Sequence, residues 1–87
     1  MPQIDVYTAD YCPYCTKAKN LLQMKGATFT EHDLSGDDAA RAKLVEKANG
    51  SKTIPQIFID DRHIGGYSDL EKLNNAGQLE GILKGES

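Results

Sequence analysis

No tryptophan occurs in the 87 residues, and cysteine and histidine occur only twice each. The longest apolar runs are a few residues, far short of the ~20 that cross a bilayer, so no membrane role is expected. No cluster of Lys or Arg marks a nucleic-acid surface. The formal net charge of −3 describes a mildly acidic surface without an acidic tail. Repeats, low-complexity stretches and Pro- or Gly-rich linkers are missing as well. Met1-Pro2-Gln3-Ile4-Asp5 has neither the charged start nor the apolar stretch of a signal peptide, so a cytoplasmic chain is expected. A hydrophobic content of 39% is enough for one compact core, and the length allows one domain, read here as residues 1–87.

The two cysteines, Cys12 and Cys15, stand three apart. A structural disulfide stabilises mainly by closing a long loop in the unfolded chain, and this loop is too short for that. In a reducing compartment such a pair binds metal or carries out redox chemistry. A zinc site would need His32 and His63 as its other ligands. Neither histidine has a partner at ligand spacing, and both read as solvated surface residues.

Alternation of Ile4 and Val6 with polar residues predicts a strand over 3–7. Pro13 suits the first turn of a helix, where a missing N–H costs nothing. Cys15, Ala18, Leu21 and Leu22 then fall on one helical face, which Gly26 ends. Ala27 to Leu34 reads as a second strand with Phe29 its largest apolar side chain. Ser35-Gly36-Asp37-Asp38 offers caps and first-turn acids to a helix with Leu44, Val45 and Ala48 on its apolar stripe, stopped by Asn49-Gly50. Ile57 to Asp60 reads as a strand. A turn at Asp60-Asp61 or Asp61-Arg62 leads into a shorter strand ending at Ile64. Ser68-Asp69-Leu70-Glu71 has the spacing of a capping box for a helix anchored by Leu70 and Leu73 and closed by Gly77. Leu79, Ile82 and Leu83 form a last helical turn or two. The first strand–helix–strand unit should be parallel with a right-handed crossover, and the last two strands antiparallel. The fold class is α/β: a minimal βαβαββα arrangement with a four-stranded mixed sheet flanked by helices.

Cys12 stands just before the helix that starts at Pro13. Unpaired N–H groups and the positive dipole end favour an anion there, which lowers a thiol pKa. A fall from ~8.5 to ~5 would raise the thiolate fraction at pH 7 roughly thirtyfold. Intrinsic nucleophilicity would drop by a similar factor, given a Brønsted slope of about 0.4–0.5. The clear gain is for Cys12 as a leaving group. Cys15, one turn inside the helix and on its apolar face, should be more buried and less ionised. That suits a resolving thiol.

Tyr11-Cys12-Pro13-Tyr14-Cys15 resembles the active-site motif of the dithiol glutaredoxin family. Thr53-Ile54-Pro55 resembles its Thr-Val-Pro segment with a cis proline. His63-Ile64-Gly65-Gly66 followed by Ser68-Asp69 resembles its glutathione-binding turn. The three motifs occur in order along essentially the whole chain. They differ from the Trp-Cys-Gly-Pro-Cys of thioredoxins and the Cys-Gly-Phe-Ser of monothiol relatives.

The resemblance implies a thioredoxin-like fold and a glutathione-dependent oxidoreductase, with Cys12 the nucleophile and Cys15 the resolving thiol. It implies no bound cofactor, with glutathione as co-substrate and NADPH supplied through glutathione reductase. Glutathione would lie against Tyr14, Thr53, Ile54, Pro55 and Gly66, its γ-glutamyl carboxylate at the helix start near Ser68 and its ammonium on Asp69. Ile54 would lend its backbone amide to the cysteinyl part. Clients would be glutathionylated or disulfide-containing proteins, ribonucleotide reductase among them, and a monomer is expected. Family members often carry Lys where Ala9 stands and Gln or Arg where Ser51 stands, both to meet the glycyl carboxylate. Lys52 is the nearest candidate replacement, then Lys17 and Arg41. Two other functions use the same motif: a redoxin fed by thioredoxin reductase, and a dimer holding a [2Fe–2S] cluster through Cys12 and glutathione.

Overall fold

The computed structural model describes residues 2–9 and 12–84. Its elements run β1 Ile4–Thr8, α1 Pro13–Met24, β2 Thr30–Asp33, α2 Asp38–Lys47, β3 Gln56–Ile59, β4 Arg62–Gly65, α3 Tyr67–Asn75 and α4 Leu79–Leu83. The sheet order is β2-β1-β3-β4. β1 pairs parallel with β2, and β3 pairs antiparallel with both β1 and β4. This is the mixed sheet expected from the sequence.

Side-chain alternation sorts the core into two layers. Ile4, Val6, Ile57 and Ile59 point to one face, where Ala18 and Leu22 of α1, Leu70 of α3 and Leu79 and Leu83 of α4 cover them. Phe58 points the other way, against Leu34, Leu44 of α2 and Ala48, the C-cap of that helix. β3 is therefore buried on both faces, while β2, the edge strand Thr-Glu-His-Asp, is mostly exposed. On the α2 face a row of rings crosses all four strands. His32 stacks on Tyr7 at 4.5 Å, Tyr7 meets Phe58 edge-on at 5.6 Å, and Phe58 stacks on His63 at 5.0 Å.

Several boundaries differ from the sequence reading. β1 runs to Thr8, whose buried hydroxyl donates to Glu31 at 2.8 Å. That bond and the Lys19 ammonium hold the Glu31 carboxyl below its ordinary pKa. β2 starts only at Thr30, because Ala27 N–H still donates to Leu22 C=O and closes the end of α1. Phe29 packs on the core from the connection before the strand. β3 ends at Ile59, because Asp60 and Asp61 both take positive φ, 51° and 65°. Two such central residues make the tight hairpin turn whose twist matches the strands.

The register explains where a site can form. Tyr7, near the end of β1, lies opposite Gln56, the first residue of β3. Gly65, the last residue of β4, lies opposite Ile57. The end of β1, the start of β3 and the end of β4 thus share one edge of the sheet. α1 follows the first and α3 the last, so both helices begin there.

Candidate active site

Cys12 is the N-cap of α1, with extended backbone (φ −117°, ψ 92°), and Pro13 occupies the first helical position. The Cys15 N–H donates to Cys12 Sγ at 3.2 Å. This is the bond a Ser or Asp side chain makes at an N-cap, here accepted by sulfur. No acidic side chain stands in the first turn of α1. An anionic sulfur would keep that hydrogen bond, gain from the helix dipole and meet no opposing charge from the turn. Cys12 and Cys15 are joined as a disulfide. Cys12 is half-buried, while Cys15 is 3% exposed and faces the sheet with Ala18 and Leu22. Their environments therefore differ as the sequence suggests. Tyr11, read as part of the motif, lies outside the described residues.

Across from α1, the Ile54–Pro55 bond is cis, and the Ile54 carbonyl oxygen lies 3.5 Å from Cys12 Sγ. A cleft of about 370 Å³ opens here, lined by Tyr14, Thr53, Ile54, Pro55, Gly66, Tyr67 and Ser68. That volume is within the range of small-molecule sites. Tyr14 is 56% exposed and forms the outer wall. Its ring lies 6.1 Å from that of Tyr67, and the Lys17 ammonium sits 5.2 Å from its centre.

Six of the residues singled out from sequence thus meet in one cleft: Tyr14, Thr53, Ile54, Pro55, Gly66 and Ser68. Lys52 and Asp69 are not in its lining. Lys52 is exposed on the loop before Thr53. The Asp69 carboxylate accepts the Gly66 N–H at 3.0 Å.

That bond corrects the capping reading. The N-cap of α3 is Gly66, and Ser68 lies inside the first turn. A glycine has no side chain to mark it as a cap, so the Ser-x-x-Glu spacing drew the boundary two residues late. Tyr67, the first residue of α3, also lines the cleft and carries no motif signal in the sequence.

The histidines also need correcting, because neither is simply solvated. His32 bonds Asp5 at 2.9 Å as well as stacking on Tyr7. His63 Nε2 meets the buried Gln56 Oε1 at 2.6 Å, and its Nδ1 meets Asn49 Nδ2 at 3.2 Å. Among the described residues no three metal-binding side chains come together. Ser51 has a structural partner, since its hydroxyl accepts from Gln56 Nε2 at 3.1 Å.

A buried and a half-buried cysteine at a helix N-terminus, facing a cis proline beside an open cleft, define a thiol–disulfide oxidoreductase site. A family model described as glutaredoxin matches residues 4–64. The chain is 48% identical over 83 residues to a glutaredoxin of Pseudomonas aeruginosa, covering 95% of this chain and 98% of that one. It is 45% identical over 84 residues to glutaredoxin 3 of Escherichia coli, covering 97% and 100%. Among solved structures, a buckwheat glutaredoxin–glutathione complex superposes with a TM-score of 0.88 at 31% identity, over 97% of this chain and 78% of that one. An oxidized glutaredoxin 2 from Chlamydomonas reinhardtii gives 0.82 at 33%, over 97% and 81%. The chain belongs to the glutaredoxin family, has its thioredoxin-like fold and is a thiol–disulfide oxidoreductase.

Proposed function

We propose that this chain, as a single glutaredoxin domain, reduces glutathione mixed disulfides and protein disulfides with Cys12 as nucleophile and Cys15 as resolving thiol. The observation that carries the assignment is Cys12 Sγ in the N-cap position, accepting the Cys15 N–H beside the cleft. The Cys12 thiolate attacks the glutathione sulfur of the client's mixed disulfide, and the bond from that sulfur to the client's sulfur breaks. A Cys12–glutathione disulfide forms and the client leaves as thiolate. A second glutathione thiolate attacks the glutathione sulfur of that disulfide, giving oxidised glutathione and returning Cys12 as thiolate. With a protein disulfide, Cys12 forms the mixed disulfide with the protein. Cys15 then loses its proton to the departing client thiolate and attacks Cys12. The resulting Cys12–Cys15 disulfide is reduced by two glutathiones, which glutathione reductase regenerates with NADPH.

In this reading the tripeptide lies in the cleft between Tyr14 and Thr53-Ile54-Pro55. Its γ-glutamyl carboxylate sits at the start of α3, near Gly66 and Ser68. Asp69 gives one oxygen to Gly66 N–H, and a carboxylate has a second to offer the ammonium. The protein works as a monomer in the cytoplasm, on clients of which ribonucleotide reductase is one. No helix among the described residues is long and apolar enough to cross a membrane. The direct test is a coupled assay with a glutathionylated small disulfide, glutathione, glutathione reductase and NADPH. Turnover with thioredoxin reductase but not with this system would overturn the reading.

Alkylation of Cys12 by iodoacetamide should show a pH inflection well below the ~8.5 of a free thiol. A single inflection near the free-thiol value would remove the activated-thiolate argument.

Ala9 and Ser51 leave the glycyl carboxylate without its usual partners, and the Ser51 hydroxyl is occupied with Gln56. Lys52 is the nearest cation in sequence to Thr53. A charge-assisted hydrogen bond contributes about 1.5–3 kcal/mol, and exposure pulls a loop lysine to the low end or below. Lys52→Ala should raise the KM for glutathione severalfold with little change in kcat, as loss of uniform binding does. The effect should shrink at high ionic strength. Ala9→Lys should tighten glutathione use. An unchanged KM in Lys52→Ala at low salt would make Lys52 a solvated loop residue.

A further inference from the structure

The buried residue next to the cleft is Gln56, 1% exposed and directly after Pro55. Its carboxamide is fully engaged. Nε2 donates to the Thr53 carbonyl at 2.9 Å, and lies 2.9 Å from Thr53 Oγ1 and 3.1 Å from Ser51 Oγ. A carbonyl only accepts, so the group facing Thr53 is the NH₂ and the group facing His63 is Oε1. His63 Nε2 must then carry hydrogen, which it donates to Oε1 at 2.6 Å, while Nδ1 accepts from Asn49 Nδ2 at 3.2 Å. The ring is held flat against Phe58, its cross-strand partner. Every donor in this chain of four residues points the same way: Asn49 to His63, His63 to Gln56, Gln56 to the Thr53 carbonyl.

The terminus of the chain matters because of peptide geometry. The Thr53–Ile54 bond is trans, the cis bond being the next one. In a planar trans peptide the C=O and the following N–H point in opposite directions. Holding the Thr53 oxygen inward on a buried carboxamide therefore turns the Ile54 N–H outward, on the side where Thr53 and Ile54 line the cleft. The 49–55 connection has no strand ladder to do this.

We infer that Gln56 and His63 are positioning residues: they set the plane of the Thr53–Ile54 peptide and so aim the Ile54 N–H at the cysteinyl backbone of a glutathione in the cleft. The inference rests on the glutathione reading above. Losing the His63 donor leaves the Gln56 Oε1 unpaired and the amide free to turn over, so that the Thr53 oxygen loses its fixed partner.

The test uses His63→Phe, which keeps the ring on Phe58 and removes the donor, and His63→Gln, which can restore one. S-methylglutathione, which cannot exchange disulfides, is titrated into ¹⁵N-labelled protein, and the Ile54 amide is followed beside steady-state kinetics. In the wild type the Ile54 amide should shift on binding. His63→Phe should weaken that titration and raise the KM for glutathione about three- to tenfold, the range expected for one hydrogen bond. Its kcat should stay within about twofold, with His63→Gln recovering part of the loss. The iodoacetamide profile of Cys12 should not move. If His63→Phe does not fold, Gln56→Glu carries the same measurement: the carboxylate keeps an acceptor for His63 and loses the donor to Thr53, so the same KM rise is expected. A wild-type Ile54 amide that ignores S-methylglutathione would overturn the subsite and the inference with it. A wild-type response retained unchanged in the folded variants would overturn the inference alone. A loss in His63→Phe spread equally over KM, kcat and the alkylation profile would also overturn it, as general loosening.

Discussion

Cys12→Ser is expected to abolish all turnover, while Cys15→Ser keeps deglutathionylation and loses efficient reduction of protein disulfides. The asymmetry follows from where each sulfur sits. Cys12 Sγ is half-exposed, holds the capping N–H of Cys15 and abuts the cleft. A serine there would still cap the helix, so the fold should persist while the nucleophile is gone. Loss of the reacting atom is expected to lower the rate to the uncatalysed level. Cys15 is buried and is joined to Cys12. In the proposed reaction it is needed when a bulky client must be expelled from the mixed disulfide, and not when glutathione itself can attack. Assays with a glutathionylated small disulfide and with a disulfide-bonded protein, run side by side, separate the two roles. Equal loss of both activities in Cys15→Ser would sink the assignment.

Gly65→Ala is expected to destabilise the fold strongly and to disturb the start of α3. Gly65 has φ +122°, a region that side chains other than hydrogen rarely enter, at a cost of about 1–3 kcal/mol. An added Cβ would also overlap the Asp69 carboxylate that caps Gly66. Displacing that cap removes about another 1 kcal/mol. Together these predict a loss of roughly 2–4 kcal/mol, or roughly 10–25 °C in Tm for a domain of this size. The start of α3 should shift with it, so the KM for glutathione should rise as well. Gly66→Ala is the control. Its φ is −88°, and a Cβ would lie 3.4 Å from the Pro55 carbonyl oxygen, an ordinary contact. It should cost less than about 1 kcal/mol. Thermal unfolding of the two variants decides the matter. A Gly65→Ala protein that melts within two or three degrees (about half a kcal/mol) of the wild type would show that this backbone is not held as described.

The elements that sequence reveals here are those with local causes. Pro13 after a cysteine marks a helix start, Asp60-Asp61 between apolar runs marks a hairpin, and Leu44 and Ala48 mark a buried stripe. The position of Cys12 at the helix start was legible for the same reason, since it depends on the next three residues. What was not legible depends on partners distant in the chain. That β3 lies beside β1 follows from no periodicity. Nothing local shows that Gln56 is buried or that His63 reaches it across the hairpin, so His63 looked like surface. The cis bond before Pro55 came from family resemblance alone. Gly66 escaped notice as a cap because its partner is the Asp69 side chain, and a residue without a side chain leaves no capping pattern of its own.

β2 is an edge strand, and an edge strand offers unpaired backbone groups to any other extended chain. Here it is four residues long and mostly exposed, with Glu31 and Asp33 among them. The Glu31 carboxyl is held below its ordinary pKa by Thr8 and Lys19, and that of Asp33 by Ser35. A second β2 approaching this edge would bring like charges together and find little ladder to extend.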